Sequence, residues 1–229
     1  MRLPLREGTL ATTRFALLAA LVAGQLTTGC VSLSTLQTAR AVPDGTLRSG
    51  VGVSVATSAP SGGNTSVFVP VPEVALRYGL GGGRDVGIKA GPFGTEVMFK
   101  QEAVNQGPLV ISLAPSAGFI FATSAPSSNS SASVASFVFH LPVLFGVDLN
   151  GGHQVVFGPR FSEFVYHSGS GNTSSTSSAS LLGASFGIAL ATSKTLVVMP
   201  EVNFATKVAG DGSQGGVGFQ FGIGFLFGG

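Results

Sequence analysis

The sequence predicts an all-β fold, an antiparallel up-and-down β-barrel that crosses a membrane, and three observations carry that reading. The first is a period of two. Phe137, Phe139, Leu141, Val143, Phe145 and Val147 occupy alternate positions, and Val217, Phe219, Phe221, Ile223, Phe225 and Phe227 repeat the pattern near the C-terminus. Successive side chains of a strand point to opposite faces, so each run has one apolar face and one small or polar face. The second is composition. Charged residues make up 10% of the chain, hydrophobic residues 44%, and the mean hydropathy is +0.47; an ordinary soluble domain is about 25% charged. The third is that no segment beyond the N-terminal region approaches the roughly 20 apolar residues of a spanning helix. Only helices and closed barrels satisfy every backbone group in hydrocarbon, which leaves the barrel.

Residues 1–29 read as a signal peptide. Arg2, Arg6 and Arg14 precede the apolar run Phe15-Ala16-Leu17-Leu18-Ala19-Ala20-Leu21-Val22-Ala23, which is too short to span a bilayer, and a polar stretch follows. Leu26-Thr27-Thr28-Gly29-Cys30 resembles the lipobox of bacterial lipoproteins, with the leucine one place further from the cysteine than usual. The resemblance implies that Cys30, the only cysteine, is acylated and becomes the mature N-terminus. Val31-Ser32, with no Asp after the cysteine, implies delivery to the outer membrane. Residues 30–45 carry no period and end in Pro43-Asp44-Gly45, so they are expected to form a short periplasmic linker behind the lipid.

The barrel is expected over residues 46–229. Strand-like runs cover 46–57, 66–80, 84–92, 95–103, 109–122, 133–148, 153–166, 180–191, 195–205 and 215–227. Ser58 to Thr65, Thr123 to Ala132, His167 to Ala179 and Thr206 to Gln214 form long loops, mostly rich in Ser, Gly, Asn and Thr. Gly81-Gly82-Gly83 and Leu149-Asn150-Gly151-Gly152 are tight turns. Long loops at one rim and short turns at the other are the rule for outer-membrane barrels. Ala56-Thr57-Ser58-Ala59-Pro60-Ser61 recurs as Ala122-Thr123-Ser124-Ala125-Pro126-Ser127, each copy leaving an odd-numbered run. From Phe137 to Val147 the chain rises about 34 Å, which at a tilt of about 45° covers the apolar band of about 25 Å. Prolines 70, 72, 115, 142, 159 and 200 fall inside runs and predict bulges. Around Pro70-Val71-Pro72 the apolar residues change parity, from Val67, Val69 and Val71 to Val74, Leu76, Tyr78 and Leu80. About ten strands are expected, with both ends at the short-turn rim; eight is the alternative if the prolines mark loops.

Beyond residue 30 nine basic and nine acidic side chains cancel, so the chain has no electrostatic footprint for nucleic acid. Glu73, Arg77, Lys89, Glu96, Lys100, Arg160 and Glu201 lie opposite the apolar faces. They are expected to line the lumen, because a cation on the lipid face costs about 2–4 kcal/mol at the midplane. Two readings follow: a charged constriction, or ion pairs that fill a narrow barrel. Gly183, Ser185, Gly187, Ala189, Gly222 and Gly224 are small and leave room for a narrow water path.

Catalytic signals are sparse. His167, Ser168 and Ser170 lie near Glu163, similar to the His/Ser placement of outer-membrane lipid hydrolases. Yet Glu163 is about 13 Å from His167 along a strand, too far to orient a base. No cysteine pair, histidine cluster or acidic loop points to a metal or other cofactor. Taken together, residues 46–227 resemble a bacterial outer-membrane β-barrel protein. The terminal Phe225-Leu226-Phe227 is similar to the signal read by the barrel-assembly machinery, although two glycines follow it. The expected function is a non-enzymatic narrow pore or structural barrel among outer-membrane lipid, with its N-terminus on the periplasmic side. A surface-interaction barrel of adhesin type is the first alternative and a lipid hydrolase the second.

Overall fold

In the computed structural model, residues 34–58, 67–92, 94–123, 132–170, 173–210 and 217–228 are described; the expected signal peptide and Cys30 lie outside them. The strands are β1 (Leu47–Ser58), β2 (Val67–Gly81), β3 (Arg84–Gly91), β4 (Gly94–Gln106), β5 (Leu109–Leu113), β6 (Ser116–Thr123), β7 (Ala132–Asp148), β8 (Gln154–Ser170), β9 (Thr173–Ala191), β10 (Leu196–Gly210) and β11 (Val217–Phe227). β5 and β6 are halves of one stave: both pair with β4 and with β7, and they part at Ala114 and Pro115. The barrel therefore has ten antiparallel staves, not eight. It closes where β1 meets β11, from Ser49↔Phe227 to Ser58↔Gly218.

The apolar period faces outward. Phe137 is 54% exposed, Phe186 50%, Phe221 55% and Val74 55%, whereas Lys100 is 1% exposed and Asp85 0%. A soluble barrel buries the first group and solvates the second. This inverted distribution makes the protein a membrane β-barrel.

The expected runs need correction in places. Within 167–179, expected as a loop, residues 167–170 and 173–179 continue the ladder of β8 and β9 to Ser170↔Thr173. Paired Ser and Thr extend a hairpin without any apolar face, so composition alone concealed it. β10 likewise runs on to Gly210, with a register shift between Lys207 and Ala209. The prolines mostly leave the ladders intact: Pro70↔Val55, Pro72↔Val53, Pro159↔Ala184 and Pro200↔Ile223 hold register, and only Pro115 breaks a stave. Nor does β2 change parity. Pro70, Pro72 and Val74 face out while Val71 and Glu73 are buried, so Val71 is an apolar residue of the lumen.

One rim carries the turns after β2, β4, β7 and β9, and β1 begins and β11 ends there. Gly81, Gly82 and Gly83 have φ of 78°, 60° and 71°, a backbone that side chains disfavour, so this tight turn needs its glycines.

The largest departure concerns residues 30–45. The stretch from Ser34 to Val42, expected as a periplasmic linker, runs inside the barrel. Ser34, Thr35, Leu36, Gln37, Ala39 and Val42 are buried. Val110, Ala114, Leu144, Val156, Met199 and Leu226 form an apolar cluster around Ala39.

Candidate functional site

The site is the lumen and the segment that it holds. The strand period turns every second residue of each stave inward, which collects charges that are far apart in sequence. At half-height Lys89 of β3 lies 3.3 Å from Glu96 of β4 and 3.6 Å from Glu73 of β2. Glu96 also accepts from the Ser116 hydroxyl at 3.2 Å, and Nε2 of His140 stands 3.9 Å away. His140 Nδ1 pairs with the Ser162 hydroxyl at 2.7 Å, and its ring meets Phe164 edge-on. Arg160 is 5% exposed and Glu201 3%. Nearer the short-turn rim, Arg77 donates through Nε to Asp85 at 2.9 Å and pairs with it again through its terminal nitrogen. Lys100 Nζ lies 3.9 Å from the same carboxylate. All seven residues singled out by the sequence thus point inward.

These groups hold a peptide backbone. The Glu201 carboxylate accepts the N–H of Thr35 at 2.8 Å, the N–H of Leu36 at 2.9 Å and the Thr35 hydroxyl at 2.6 Å. Lys89 donates to the Ser34 carbonyl at 3.0 Å, and Lys100 to the carbonyls of Thr38 and Arg40 at 2.6 and 3.3 Å. Gln154 accepts the Ala39 N–H at 2.7 Å, Glu102 that of Ala41 at 2.6 Å and Asp85 that of Val42 at 2.9 Å. The Ser112 hydroxyl donates to the Ala39 carbonyl at 2.6 Å. Side chains add less: Arg77 binds Gln37 at 2.7 Å, and Arg40 pairs with Asp148. Buried backbone groups need partners, and hydrogen bonds to ionised groups are the strong ones. The lumen charges therefore neither form a bare constriction nor simply neutralise one another.

Three inward glycines have the same explanation. A Cβ on Gly52 would stand 2.3 Å from Leu36 Cδ1, and one on Gly224, its cross-strand partner, 2.8 Å from Leu36 Cδ2. A Cβ on Gly146 would stand 2.5 Å from the Ala39 Cβ. Of the small residues that the sequence placed inward, Gly224 belongs to this notch, whereas Gly183, Gly187 and Gly222 face neighbouring strands. Three spaces beside the segment, lined by described residues, each hold about one water.

Sequence reasoning passed over Asp85, Glu102, Asp148 and Gln154. Parity was the available signal: Asp85 shares the face of Lys89, Glu102 that of Lys100, and Asp148 that of His140. Of the hydrolase candidates, His167 and Glu163 have separate partners. His167 is exposed, with Nδ1 3.2 Å from the Thr176 hydroxyl, while the Glu163 carboxylate accepts from Ser180 at 2.6 Å.

No protein-family model and no curated protein sequence matches the chain. Among solved structures it is similar to Neisserial surface protein A, at 13% identity and a TM-score of 0.45, over 80% of this chain and 99% of that one. It is similar to Ail, the attachment invasion locus protein of Yersinia pestis, solved with the heparin analogue sucrose octasulfate, at 11% identity and a TM-score of 0.46, over 81% and 100%. The translocator domain of autotransporter NalP from Neisseria meningitidis compares at 11% identity and a TM-score of 0.45, over 95% of each chain.

Chemically, the arrangement suits retention rather than turnover. Carboxylates take N–H groups and lysines take carbonyls along one strand of peptide, and the glycine notches fix its register.

Proposed function

We propose that the protein is a bacterial outer-membrane barrel without catalytic activity, held shut by its own N-terminal segment and lipidated at Cys30. The observation that supports this reading best is the backbone-directed bonding of residues 34–42 by charged and polar side chains from five different strands. A lumen committed in this way leaves no path for solutes. The terminal Phe225-Leu226-Phe227 supports delivery through the barrel-assembly machinery, and the apolar exterior supports a surround of outer-membrane lipid. In planar bilayers the full-length protein is expected to be electrically silent, and Gly52→Leu, which drives a side chain into Leu36, to give discrete openings. Regular openings of the unaltered protein would end the closed-barrel reading.

Lipidation has its own test. Cys30→Ser is expected to leave unprocessed precursor or to shift cleavage, and intact mass of the natural protein should carry acyl chains. An unmodified mature N-terminus would remove that part of the proposal.

The β8–β9 hairpin favours a second reading, a surface-interaction barrel. Its Ser- and Thr-rich strands remain paired to Ser170↔Thr173. This surface lacks the aromatic anchors that dominate binding energy, so the reading ranks second. If whole cells adhere to a protein-coated surface equally well after residues 168–175 are cut to a tight turn, it fails.

A further inference from the structure

The luminal segment is not gripped evenly along its length. From Thr38 to Val42 its backbone is bound from four strands, by Asp85 of β3, Lys100 and Glu102 of β4, Ser112 of β5 and Gln154 of β8. Asp44 and Gly45 then tie the chain to Gly79 at the short-turn rim. The part from Ser34 to Gln37 is held differently. The N–H groups of Thr35 and Leu36 and the Thr35 hydroxyl all converge on one carboxylate, that of Glu201 on β10. Leu36 itself is strained. Its φ is 39°, and among the described residues it is the one non-glycine residue with a positive φ. There the Cβ crowds the following carbonyl oxygen, and leucine has no polar side-chain atom to offset the cost. Two contacts hold it: Glu201 on its N–H, and the notch of Gly52 and Gly224 around its methyl groups. The register partners of Glu201 are also glycines, Gly187 on β9 and Gly222 on β11. No side chain level with Glu201 on either neighbouring strand wedges its carboxylate; Asn203 steers it, donating to Oε1 at 2.6 Å.

We propose that the luminal segment is a two-part gate, with residues 38–42 as a fixed anchor and residues 34–37 as a sprung flap that Glu201 latches. A strained backbone persists only while its surroundings hold it. When Glu201 lets go, Leu36 returns to a negative φ, and that rotation turns its side chain out of the notch. The anchor keeps its bonds to four strands, so the flap moves and the segment stays in the barrel. The gate rests on the closed-barrel reading and adds to it which part of the segment opens.

The test records the full-length protein in planar bilayers, each variant first shown to fold by heat-modifiable migration. Glu201→Gln keeps the size of the latch but removes its charge and one acceptor, and is expected to give discrete openings from a silent parent. Leu36→Ala and Leu36→Gly both empty the notch, so strain and flexibility separate them. A left-handed alanine is strained and a glycine is not, whereas the greater freedom of glycine favours the open state. Leu36→Ala is expected to open about tenfold more often than Leu36→Gly; equal opening, or more with glycine, overturns the sprung flap. Should Glu201→Gln fail to assemble, this pair decides alone. Thiol labelling in the Glu201→Gln chain then separates the two parts, with rates read above the parent that carries only Cys30. Ser34→Cys is expected to react at least about tenfold faster than beside an intact Glu201, and Ala39→Cys at an unchanged rate. If both accelerate together, the segment leaves as one piece and the two-part gate is refuted. If Glu201→Gln stays silent and unlabelled, Glu201 is not the latch. Both of these results leave the natural barrel closed, whereas regular openings of the unaltered protein remove the closed-barrel reading itself.

Discussion

Phe186→Arg is expected to abolish assembly, and Phe139→Arg to be tolerated better although both replace a lipid-facing phenylalanine by the same cation. Phe186 lies in the middle of an apolar row that crosses the wall: Phe145↔Phe157↔Phe186↔Val202↔Phe221 are successive register partners. Arginine there has only hydrocarbon and apolar neighbours, and the cost at the midplane is about 2–4 kcal/mol. Phe139 is paired with Glu163, whose side chain shares its outward face and is bound by Ser180. An arginine at position 139 finds a carboxylate and the polar end of β9 within its reach. Heat-modifiable migration of the outer-membrane fraction measures the outcome, with Ser185→Ala on the lumen side of Phe186 as a control expected to assemble normally. Equal losses for Phe186→Arg and Phe139→Arg would contradict the register of β7 on β8.

Most of the barrel was legible because lipid imposes a rule that a strand's sequence must show. Every second residue of β7 and β11 is apolar, so their position and outward face could be read directly. The stave count followed from turns such as Gly81-Gly82-Gly83, whose left-handed backbone is written in the glycines. Legibility failed where apolar residues face inward. Val71 looks like a lipid-facing valine, yet it is 2% exposed inside the lumen, and period alone cannot tell the two faces apart when both are apolar. Long Ser/Thr hairpins fail for the opposite reason: β8 and β9 beyond Val165 have no apolar face to betray a strand.

The charged residues of the site were legible as a set, but their purpose was not. Parity places Lys89, Lys100 and Glu201 on inward faces, and a reader of strands alone pairs such charges with one another. Their partner is the backbone of Ser34 to Val42, a stretch with no period, little charge and no motif. Backbone groups are the same in every sequence, so a site that binds them leaves no mark on the ligand. The mark lies on the receptor instead, in Gly52 facing Gly224 across β1 and β11. Two glycines at one inward rung make a notch, and a notch in a narrow barrel calls for an occupant.

Asp85→Asn is expected to destabilise the barrel by about 3–5 kcal/mol, the range for leaving buried charges without their counter-ion. Asp85 is fully buried, binds Arg77 through one oxygen, and through the other accepts the Val42 N–H at 2.9 Å with Lys100 3.9 Å away. Asparagine keeps the size and one acceptor but strands two cations beside each other. Lys100 retains the carbonyls of Thr38 and Arg40, and Arg77 retains Gln37; these neutral partners do not replace a carboxylate. Urea denaturation of the folded band should show a lower midpoint, and the loosened Val42 end of the segment should give flickering conductance. Adding Lys100→Met removes one stranded charge, so the double variant should recover part of the loss and show coupling of the kind expected for residues in one network. A double variant less stable than Asp85→Asn by the full cost of Lys100→Met would mean that the two act independently. The stability would then reside in the bonds to Arg77 and Val42, not in the balance of charge.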